Sequence, residues 1–402
     1  MKKTFLTAAF ILSATISAHA AEANSFTQTN FVANKTKYAP QLANDKDFIN
    51  AWGIAIRPKG AGGHFWVLAK DVSYEYVGDV AASPDETLRK LHQDKLTEVK
   101  LPVGGEDNVG TGVVFSDSTK DFLITQEIAG LEPITAPAKF MFASDGGVIS
   151  AWTERKHEDG TFDRSPNALK VIDQSAENAQ FFGVAISHNY DRLYVADFGA
   201  KPEVKVFDGK FQPADIKFDQ PFDENKNGQV DAGEYAPFNV QSFNNHVFVT
   251  YAKTQECPAD EVAAENCEEG ALFVGEEDTS KPGQGRVAEF TEDGKLVAVW
   301  NDGGKLSAPW GLAFAPSNFG ALSNALLVAN FGDGTIAAYD EKTHNFIDVV
   351  RNEKGEPLKI DKVWGLIFGN GESLGDSNTL YFSAGPEDET DGVFGKLTLT
   401  KK

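Results

Sequence analysis

The sequence repeats one short pattern six times. Each copy has a two-residue marker that leads into a short apolar strand, then a turn, then a second apolar or aromatic strand. The markers are Trp52-Gly53, Thr111-Gly112, Phe182-Gly183, Pro237-Phe238, Trp310-Gly311 and Trp364-Gly365, at separations of 59, 71, 55, 73 and 54 residues. A unit that recurs at this spacing predicts a repeat architecture, in which neighbouring units bury one another's apolar faces.

The strands of each unit are typical of antiparallel sheet. The first strands are almost entirely apolar, and the second strands include "FWVLA" at 65–69 and "FLIT" at 122–125. Alternating third strands follow as "GGVISAWT", "EVKVFD", "GRVAEFT" and "GTIAAYD". Self-similar four-stranded units predict an all-β fold, a six-bladed β-propeller with antiparallel blades. Because the last unit offers only "VFGKLTLT", we expect the N-terminal segment 25–36 to supply its missing strand and close the ring.

The first twenty residues indicate export. Two lysines precede an apolar run, and small residues lead up to Ala20, so we expect a signal peptide over 1–20 and one propeller domain over 21–402, secreted or periplasmic. Removal of the leader would leave 37 − 2 = 35 basic residues against 59 acidic ones. This charge disfavours nucleic acid and anionic membrane partners, and no later apolar run is long enough to span a membrane. We expect a monomer.

An acidic insertion, "DENKNGQVDAGE" at 223–234, matches the calcium loop of EF-hand proteins. Such loops place oxygen ligands at positions 1, 3, 5, 7, 9 and 12, with glycine at position 6. The ligand positions fall on Asp223, Asn225, Asn227, Gln229 (through its carbonyl), Asp231 and Glu234, with Gly228 at the turn. Pro221 and Pro237 exclude flanking helices, so we expect a structural site without a switch. The alternative is an Asp/Asn/Gly turn without metal.

The two cysteines form a second predicted feature. Cys257 and Cys267 lie ten residues apart in an acidic segment. In an oxidising compartment, such a lone pair predicts a disulfide that closes a small surface loop.

Several long segments resemble a known family. They are "APWGLAFAPSNFGALSNALLVANFGDGTIAAYD" at 308–340, the segment 363–397, "FGVAISHNYDRLYVADF" at 182–198 and "YAPFNVQSFNNHVFVTYAK" at 235–253. They resemble uncharacterised secreted bacterial six-bladed propellers, which are distantly similar to NHL-repeat, gluconolactonase and strictosidine-synthase propellers. The resemblance implies the fold and leaves the activity open, because a propeller supports enzymes and binding proteins alike. The calcium-loop and cysteine insertions depart from the family pattern.

The resemblance to gluconolactonases implies one place to look for an active site, the central channel. Such enzymes hold a metal there with Asn, Asp and Glu side chains. Candidates at strand ends are Asp71, Glu127, Asp197, Asn239, Asn330, Asp333 and Asn370. The alternative is that these residues cap turns.

Three functions remain open from the sequence. The first is an exported binding or scaffold propeller with one structural calcium loop and an unknown protein, small-molecule or glycan ligand. The second is a metal-dependent lactonase or esterase that acts in the channel. The third is a structural protein of the cell envelope.

Overall fold

A computed structural model describes residues 24–105, 108–264, 269–277 and 281–400. The predicted signal peptide and Cys267 lie outside these residues. The first strands in chain order are β1 (Phe26–Ala33), β2 (Ala43–Asn44), β3 (Ala51–Ala55), β4 (Phe65–Ala69), β5 (Val72–Tyr76) and β6 (Glu98–Lys100). Strands β3 to β6 pair in sequence order as the first blade.

The second blade carries two additional hairpins. Its strands are β7 (Gly110–Phe115), β8 (Leu123–Gln126), β9 (Ile134–Pro137), β10 (Phe140–Ser144), β11 (Val148–Trp152), β12 (Glu154–Lys156), β13 (Phe162–Arg164) and β14 (Leu169–Asp173). The blade pairs in the order β7-β10-β11-β14, while β8 pairs only with β9 and β12 only with β13. The prediction that "FLIT" is the second strand of this blade is therefore wrong. The segment "FLIT" has the apolar character and chain position expected of a second strand, but it lies in the hairpin β8-β9. Strand β10 pairs with β7 in its place.

The third and fourth blades hold the insertions. Their strands are β15 (Phe181–Ile186), β16 (Arg192–Asp197), β17 (Glu203–Asp208), β18 (Tyr235–Phe243), β19 (His246–Glu256), β20 (Leu272–Glu277), β21 (Gly285–Thr291) and β22 (Leu296–Val299), with helix α1 (Ala259–Ala263) after β19. The third blade has three assigned strands, and a single bridge between Phe207 and Pro213 stands where a fourth would pair. The fourth blade pairs as β18-β19-β21-β22, with β20 added to β19.

The last two blades complete the ring. Their strands are β23 (Pro309–Phe314), β24 (Ala325–Asn330), β25 (Ile336–Asp340), β26 (Phe346–Val349), β27 (Val363–Phe368), β28 (Leu380–Ala384) and β29 (Val393–Leu399). The sixth blade pairs as β27-β28-β29-β1-β2. Strand β1 runs antiparallel to β29, with Phe26 opposite Leu399 at one end and Ala33 opposite Val393 at the other. This confirms the six-bladed propeller and its closure by the N-terminal strand.

Helical structure is minor in the described residues. Single 3-10 turns cover Thr36–Tyr38, Glu86–Arg89, Ser175–Glu177 and Gly320–Leu322. Helix α1 has five residues, so none of the described helices has the length and apolar character to cross a membrane. Large rings fill the spaces between blades: Trp66 of the first blade stacks on Phe140 of the second at 4.0 Å between ring centroids.

Candidate functional site

The aromatic residues of the repeat markers meet on the axis of the ring. We call Trp52, Phe182, Phe238, Trp310 and Trp364 the axial plug; each is at most 7% exposed. Trp52 stacks on Trp364 with ring centroids 3.8 Å apart, and Phe331, which follows β24, stacks on the other side at 3.9 Å. Offset-stacked and edge-on aromatic pairs pack as densely as a protein core. One end of the channel is therefore filled with side chains.

A ring of glycines lets the inner strands approach closely enough to form the plug. Gly53, Gly112, Gly183, Gly311 and Gly365 are the second marker residues in five blades. In the fourth blade Asn239, which follows the aromatic marker residue Phe238, takes the corresponding place. A Cβ on Gly311 would lie 2.2 Å from the carbonyl oxygen of Trp364, and one on Gly53 would lie 2.7 Å from the carbonyl oxygen of Thr111. Only glycine fits such backbone contacts.

Each inner strand is also irregular at this level. The pairing register of all six inner strands shifts there, for example between Ala51 and Ile54 in β3 and between Val363 and Leu366 in β27. A β-bulge redirects the side chains of the strand that carries it. The irregularity thus accounts for aromatic side chains that turn toward the axis in strands whose other residues pack between blades.

The opposite half of the channel is open and forms the open-end cavity, of about 400 Å³. It runs from the glycine ring to the turns that join the first and second strands. Inner strands of all six blades line it, and their apolar residues include Ile54, Val113, Val184, Leu366 and Ile367. Polar groups occur along the same cavity and are contributed by Ser187, His188, Gln241, Ser242, Asn244, Asn245 and Glu292.

The hydrogen bonds of these polar groups leave several of them available to a ligand. Gln241 Oε1 accepts from the backbone N–H of Leu312 at 2.7 Å, which fixes the amide, and its NH₂ makes no hydrogen bond with the described residues. Glu292 accepts from the backbone N–H of His188 at 2.5 Å. The hydroxyl of Ser242 is buried and makes no hydrogen bond with the described residues. Buried polar groups are normally paired, so an unpaired one that lines a cavity indicates a place for water or ligand.

The predicted channel residues do not converge on one site. Asp197 is 1% exposed, and its carboxylate accepts from the backbone N–H groups of Gln180 and Gly199, each at 2.9 Å. Burial raises the pKa of Asp197, and Lys205, at 3.0 Å, partly offsets this rise. The side chain thus holds two strand ends together, which is the structural alternative considered for it.

The remaining candidates act in the same way or face solvent. Asn330 accepts from Ser307 and donates to Lys305, while Asp333 accepts from Thr335. Asn370 caps a turn of residues 372–374. Asn239 donates to the carbonyl of Trp310 at 2.8 Å. Asp71 and Glu127 are exposed. Across the described part of the chain, no three His, Cys, Asp or Glu side chains are grouped as a ready metal site.

The predicted calcium loop is wound around its own side chains. Asp223 accepts from the backbone N–H of Gly228 at 2.7 Å, and Gly228 has a φ of +79°, which favours glycine. Asp231 Oδ2 lies 3.0 Å from Nδ2 of Asn225 and 2.9 Å from Nδ2 of Asn227. Three of the six predicted ligand residues, Asn225, Asn227 and Asp231, are thus linked by hydrogen bonds between their side chains.

Glu234 ties the end of the loop to its beginning. Its Oε1 accepts from the backbone N–H of Glu224 at 3.1 Å and lies 3.2 Å from Nδ2 of Asn225, while Oε2 accepts from the backbone N–H of Asp231 at 3.0 Å. Glu234 is 6% exposed, and its carbonyl accepts from the backbone N–H of Thr254 in β19. The twelfth position is therefore anchored to the fourth blade. The predicted disulfide stays a prediction, since Cys267 lies outside the described residues.

Two perturbed carboxyl groups were not singled out from the sequence. Burial raises the pKa of Asp145 to about 6, although its carboxylate accepts from the backbone N–H of Val109 at 2.7 Å. Burial also raises the pKa of Glu75 well above its usual value, which the Ser73 hydroxyl offsets only in part. Glu75 is 0% exposed, and neither of its carboxylate oxygens meets hydrogen-bond geometry with a described residue. The single sequence signal for Glu75 is a charge inside an otherwise apolar and aromatic strand.

Comparison with known proteins adds relatives without known activity. No protein-family model matches the chain. Two uncharacterised proteins of Acanthamoeba polyphaga mimivirus are each 26% identical to it, one over 372 residues (91% of this chain and 78% of the relative) and one over 361 residues (88% and 81%). These relatives are viral, so the expected membership of a secreted bacterial family is not tested by them.

Solved structures that resemble the chain include two classes of enzyme. A virginiamycin B lyase from Staphylococcus aureus is 12% identical with a TM-score of 0.42, covering 94% of this chain and 99% of its own. A glucose dehydrogenase is 10% identical with a TM-score of 0.46, covering 93% and 100%. Because these TM-scores are below 0.5, the fold is assigned from the strand pairing of this chain, which defines a six-bladed β-propeller. One axial end of the propeller is filled and the other is open.

Proposed function

We propose that the protein is an exported propeller that binds a small molecule in the open-end cavity. The observation that carries the proposal is the cavity itself, which all six inner strands line next to a filled plug. A volume of about 400 Å³ lies in the range of small-molecule sites, which are largely apolar with a few placed polar groups. The leader predicted over 1–20 supports export.

The cavity chemistry favours an amphipathic, uncharged ligand with a hydroxyl-bearing head. Apolar walls near Ile54 and Leu366 suit an aliphatic body. Amides of Gln241, Asn244 and Asn245 at the turns can exchange hydrogen bonds with hydroxyl groups in both directions. Glycans and glycolipid-like molecules have this chemistry, in keeping with the expected glycan or small-molecule partner.

We also propose that the loop 223–234 binds calcium as a structural ion. The loop winding and the proximity of Asn225, Asn227, Asp231 and Glu234 support it. Rotation of the Asn225 amide by 180° would direct its oxygen toward the point where its NH₂ now meets Asp231. The ion would supply charge balance for three carboxylates, and we expect a dissociation constant on the order of 10⁻⁴ to 10⁻³ M.

A second candidate function, hydrolysis with a channel metal, has no specific observation in its favour. Asp197, Asn330 and Asn239 are already committed to backbone groups or to a lysine, and their positions do not define a shared open point. We therefore propose binding alone.

The cavity proposal is tested by calorimetric titration with octyl β-glucoside below its critical micelle concentration. Wild type should bind one molecule. Ile367→Trp fills the cavity from β27, so its affinity should fall at least tenfold. The matched control is Ile347→Trp, at a 44% exposed position on the outer strand β26, which should bind as wild type does. No binding by wild type, or equal binding by all three proteins, would contradict the proposal.

The calcium proposal is tested by thermal unfolding with 10 mM calcium and with chelator. With dissociation constants on the order of 10⁻⁴ to 10⁻³ M, calcium should stabilise wild type by about 1 to 3 kcal/mol. The double variant Asp223→Ala/Glu234→Ala should lose this increment and keep its fold. An equal increment in the double variant would place calcium elsewhere.

A further inference from the structure

A second cavity, separate from the open-end cavity, lies between the third and fourth blades. We call it the side cavity; its volume is about 400 Å³. One wall comes from β17 and the segment 216–222 of the third blade, and the other from β18 and β19 of the fourth. The calcium loop covers part of it through Asp223, Gly228 and Val230. Val230 also packs against the axial plug cluster, so the loop and this cavity lie toward the plugged end of the ring.

Aromatic and proline side chains make up much of the side cavity. Phe222 contacts Tyr251 edge-on at 4.8 Å between ring centroids, and Phe222 and Tyr235 are 6.0 Å apart. The guanidinium of Arg286 lies 4.3 Å from the Tyr235 ring centroid and holds that ring in place. The proline walls are Pro202, Pro221 and Pro237. Rigid rings of this kind favour a flat apolar ligand, which loses little entropy when it stacks among them.

The hydroxyl of one buried tyrosine in the side cavity has no partner among the described residues. Tyr251 is 5% exposed and lines the cavity, yet its hydroxyl makes no hydrogen bond with the described residues. Buried tyrosine hydroxyls usually find a partner. Tyr251 thus offers one donor and one acceptor to a molecule in the cavity.

The charges around the side cavity disfavour an anion. Glu203, Asp219 and Asp223 line it with carboxylates, against the single ammonium of Lys217. Lys295 balances Asp219 at 3.1 Å, and the excess of negative charge remains. An uncharged ligand avoids both repulsion and the cost of desolvating a charge.

We propose that the side cavity is a binding site for a small, uncharged, flat-ring molecule that carries one hydrogen-bonding group, which Tyr251 holds. Because the loop 223–234 forms part of the wall, ordering of that loop by calcium should tighten binding. This coupling rests on the proposed calcium site, whereas the side cavity does not. By linkage, the ligand should tighten calcium binding by the same factor.

The test uses N-phenyl-1-naphthylamine, a neutral aromatic amine with one N–H, whose fluorescence rises in apolar surroundings. Wild type should bind it in calcium. Tyr251→Phe removes only the hydroxyl and should weaken binding about 3- to 10-fold, the value of one hydrogen bond. Ile216→Trp fills the side cavity and should abolish the signal from this site. Tyr251→Phe should unfold at the wild-type temperature, which separates loss of the contact from loss of fold.

Three controls assign the signal. Tyr76→Phe changes a buried tyrosine of the first blade and should leave the titration unchanged. Ile347→Trp should also bind as wild type does, and Ile367→Trp, in the open-end cavity, should keep the component that Tyr251→Phe weakens. Equal affinity in wild type, Tyr251→Phe and Ile216→Trp would overturn the proposal.

A comparison of titrations with calcium and with chelator separates this proposal from the proposed function. Chelator should weaken binding in wild type and have no effect in Asp223→Ala/Glu234→Ala. Binding that depends on Tyr251 and is identical with calcium and chelator would uphold the side cavity and overturn its coupling to the loop. The octyl glucoside titration tests the other cavity and can fail independently.

Discussion

The two ends of the propeller axis are built from the same six strands and have opposite properties. In β27, Trp364 is 1% exposed and stacks between Trp52 and Phe331, while Ile367, three residues along, is half-buried and lines a cavity. The bulge and the glycine after each marker bring the backbones together at one end. Beyond the glycine ring, aliphatic side chains leave about 400 Å³ unfilled. Whether a propeller has a channel is thus decided by side chains at one level of its inner strands.

The largest expected effect comes from truncation of the plug. Trp364→Ala should lower the free energy of unfolding by about 3 to 5 kcal/mol, the usual cost of removing a buried large aromatic side chain. Ile367→Ala, on the same strand at the open end, should cost about 1 kcal/mol, because its surroundings are already partly empty. Urea unfolding of both variants measures the difference. Equal losses would mean that the two ends are packed alike.

A smaller effect is expected from the glycine ring. Gly311→Ala places a methyl group 2.2 Å from the Trp364 carbonyl oxygen, and we expect a loss of about 2 to 3 kcal/mol from overpacking. Gly355→Ala is the matched control, because no atom lies within 4 Å of its Cβ position, although its φ is +77°. Its left-handed backbone alone should cost about 1 kcal/mol. If the Gly311 variant is at least as stable as the Gly355 variant, close backbone contact does not explain the glycine at the ring.

The plugged end should also have its own pH dependence. Burial raises the pKa of Asp145 to about 6, and Val109, its hydrogen-bond partner, packs against the plug cluster. The folded state therefore holds this proton more tightly than the unfolded chain does. Stability from this group is fully present below pH 3.8 and is lost as pH rises through about 6.

Asp145→Asn isolates that contribution. The variant keeps the oxygen that accepts from Val109 and cannot ionise, so it should be more stable than wild type at pH 8 by about 2 kcal/mol and equal to it near pH 4. Chemical unfolding at both pH values checks this. A constant difference between the two proteins across the range would contradict the raised pKa.

Much of the fold could be predicted from local pattern, and the site could not. The markers and the alternating third strands "EVKVFD", "GRVAEFT" and "GTIAAYD" were located correctly, because apolar strands that repeat at even spacing have few alternative folds. The incomplete last unit predicted its N-terminal partner for the same reason.

The errors arose where several segments fit one role. "FLIT" and the true strand β10 are both apolar and both follow a turn, and only the pairing with β7 separates them. Four-stranded units were predicted throughout, yet the outer edge of the third blade is a single bridge at Pro213, and proline has no N–H to donate to a sheet. Both cavities depend on distances between blades, which no local pattern encodes. The sequence shows Asn239 at the glycine position of the fourth blade, but local pattern could not predict its hydrogen bond to Trp310 of the next blade.

The most direct test of the account is a crystal structure of the chain grown with calcium and octyl β-glucoside. We expect ligand density in the open-end cavity, in contact with Ile367 and Gln241, and stacked rings of Trp52 and Trp364 with no solvent passage. An axial channel open from end to end, or ligand density on the axis among the plug residues, would contradict it.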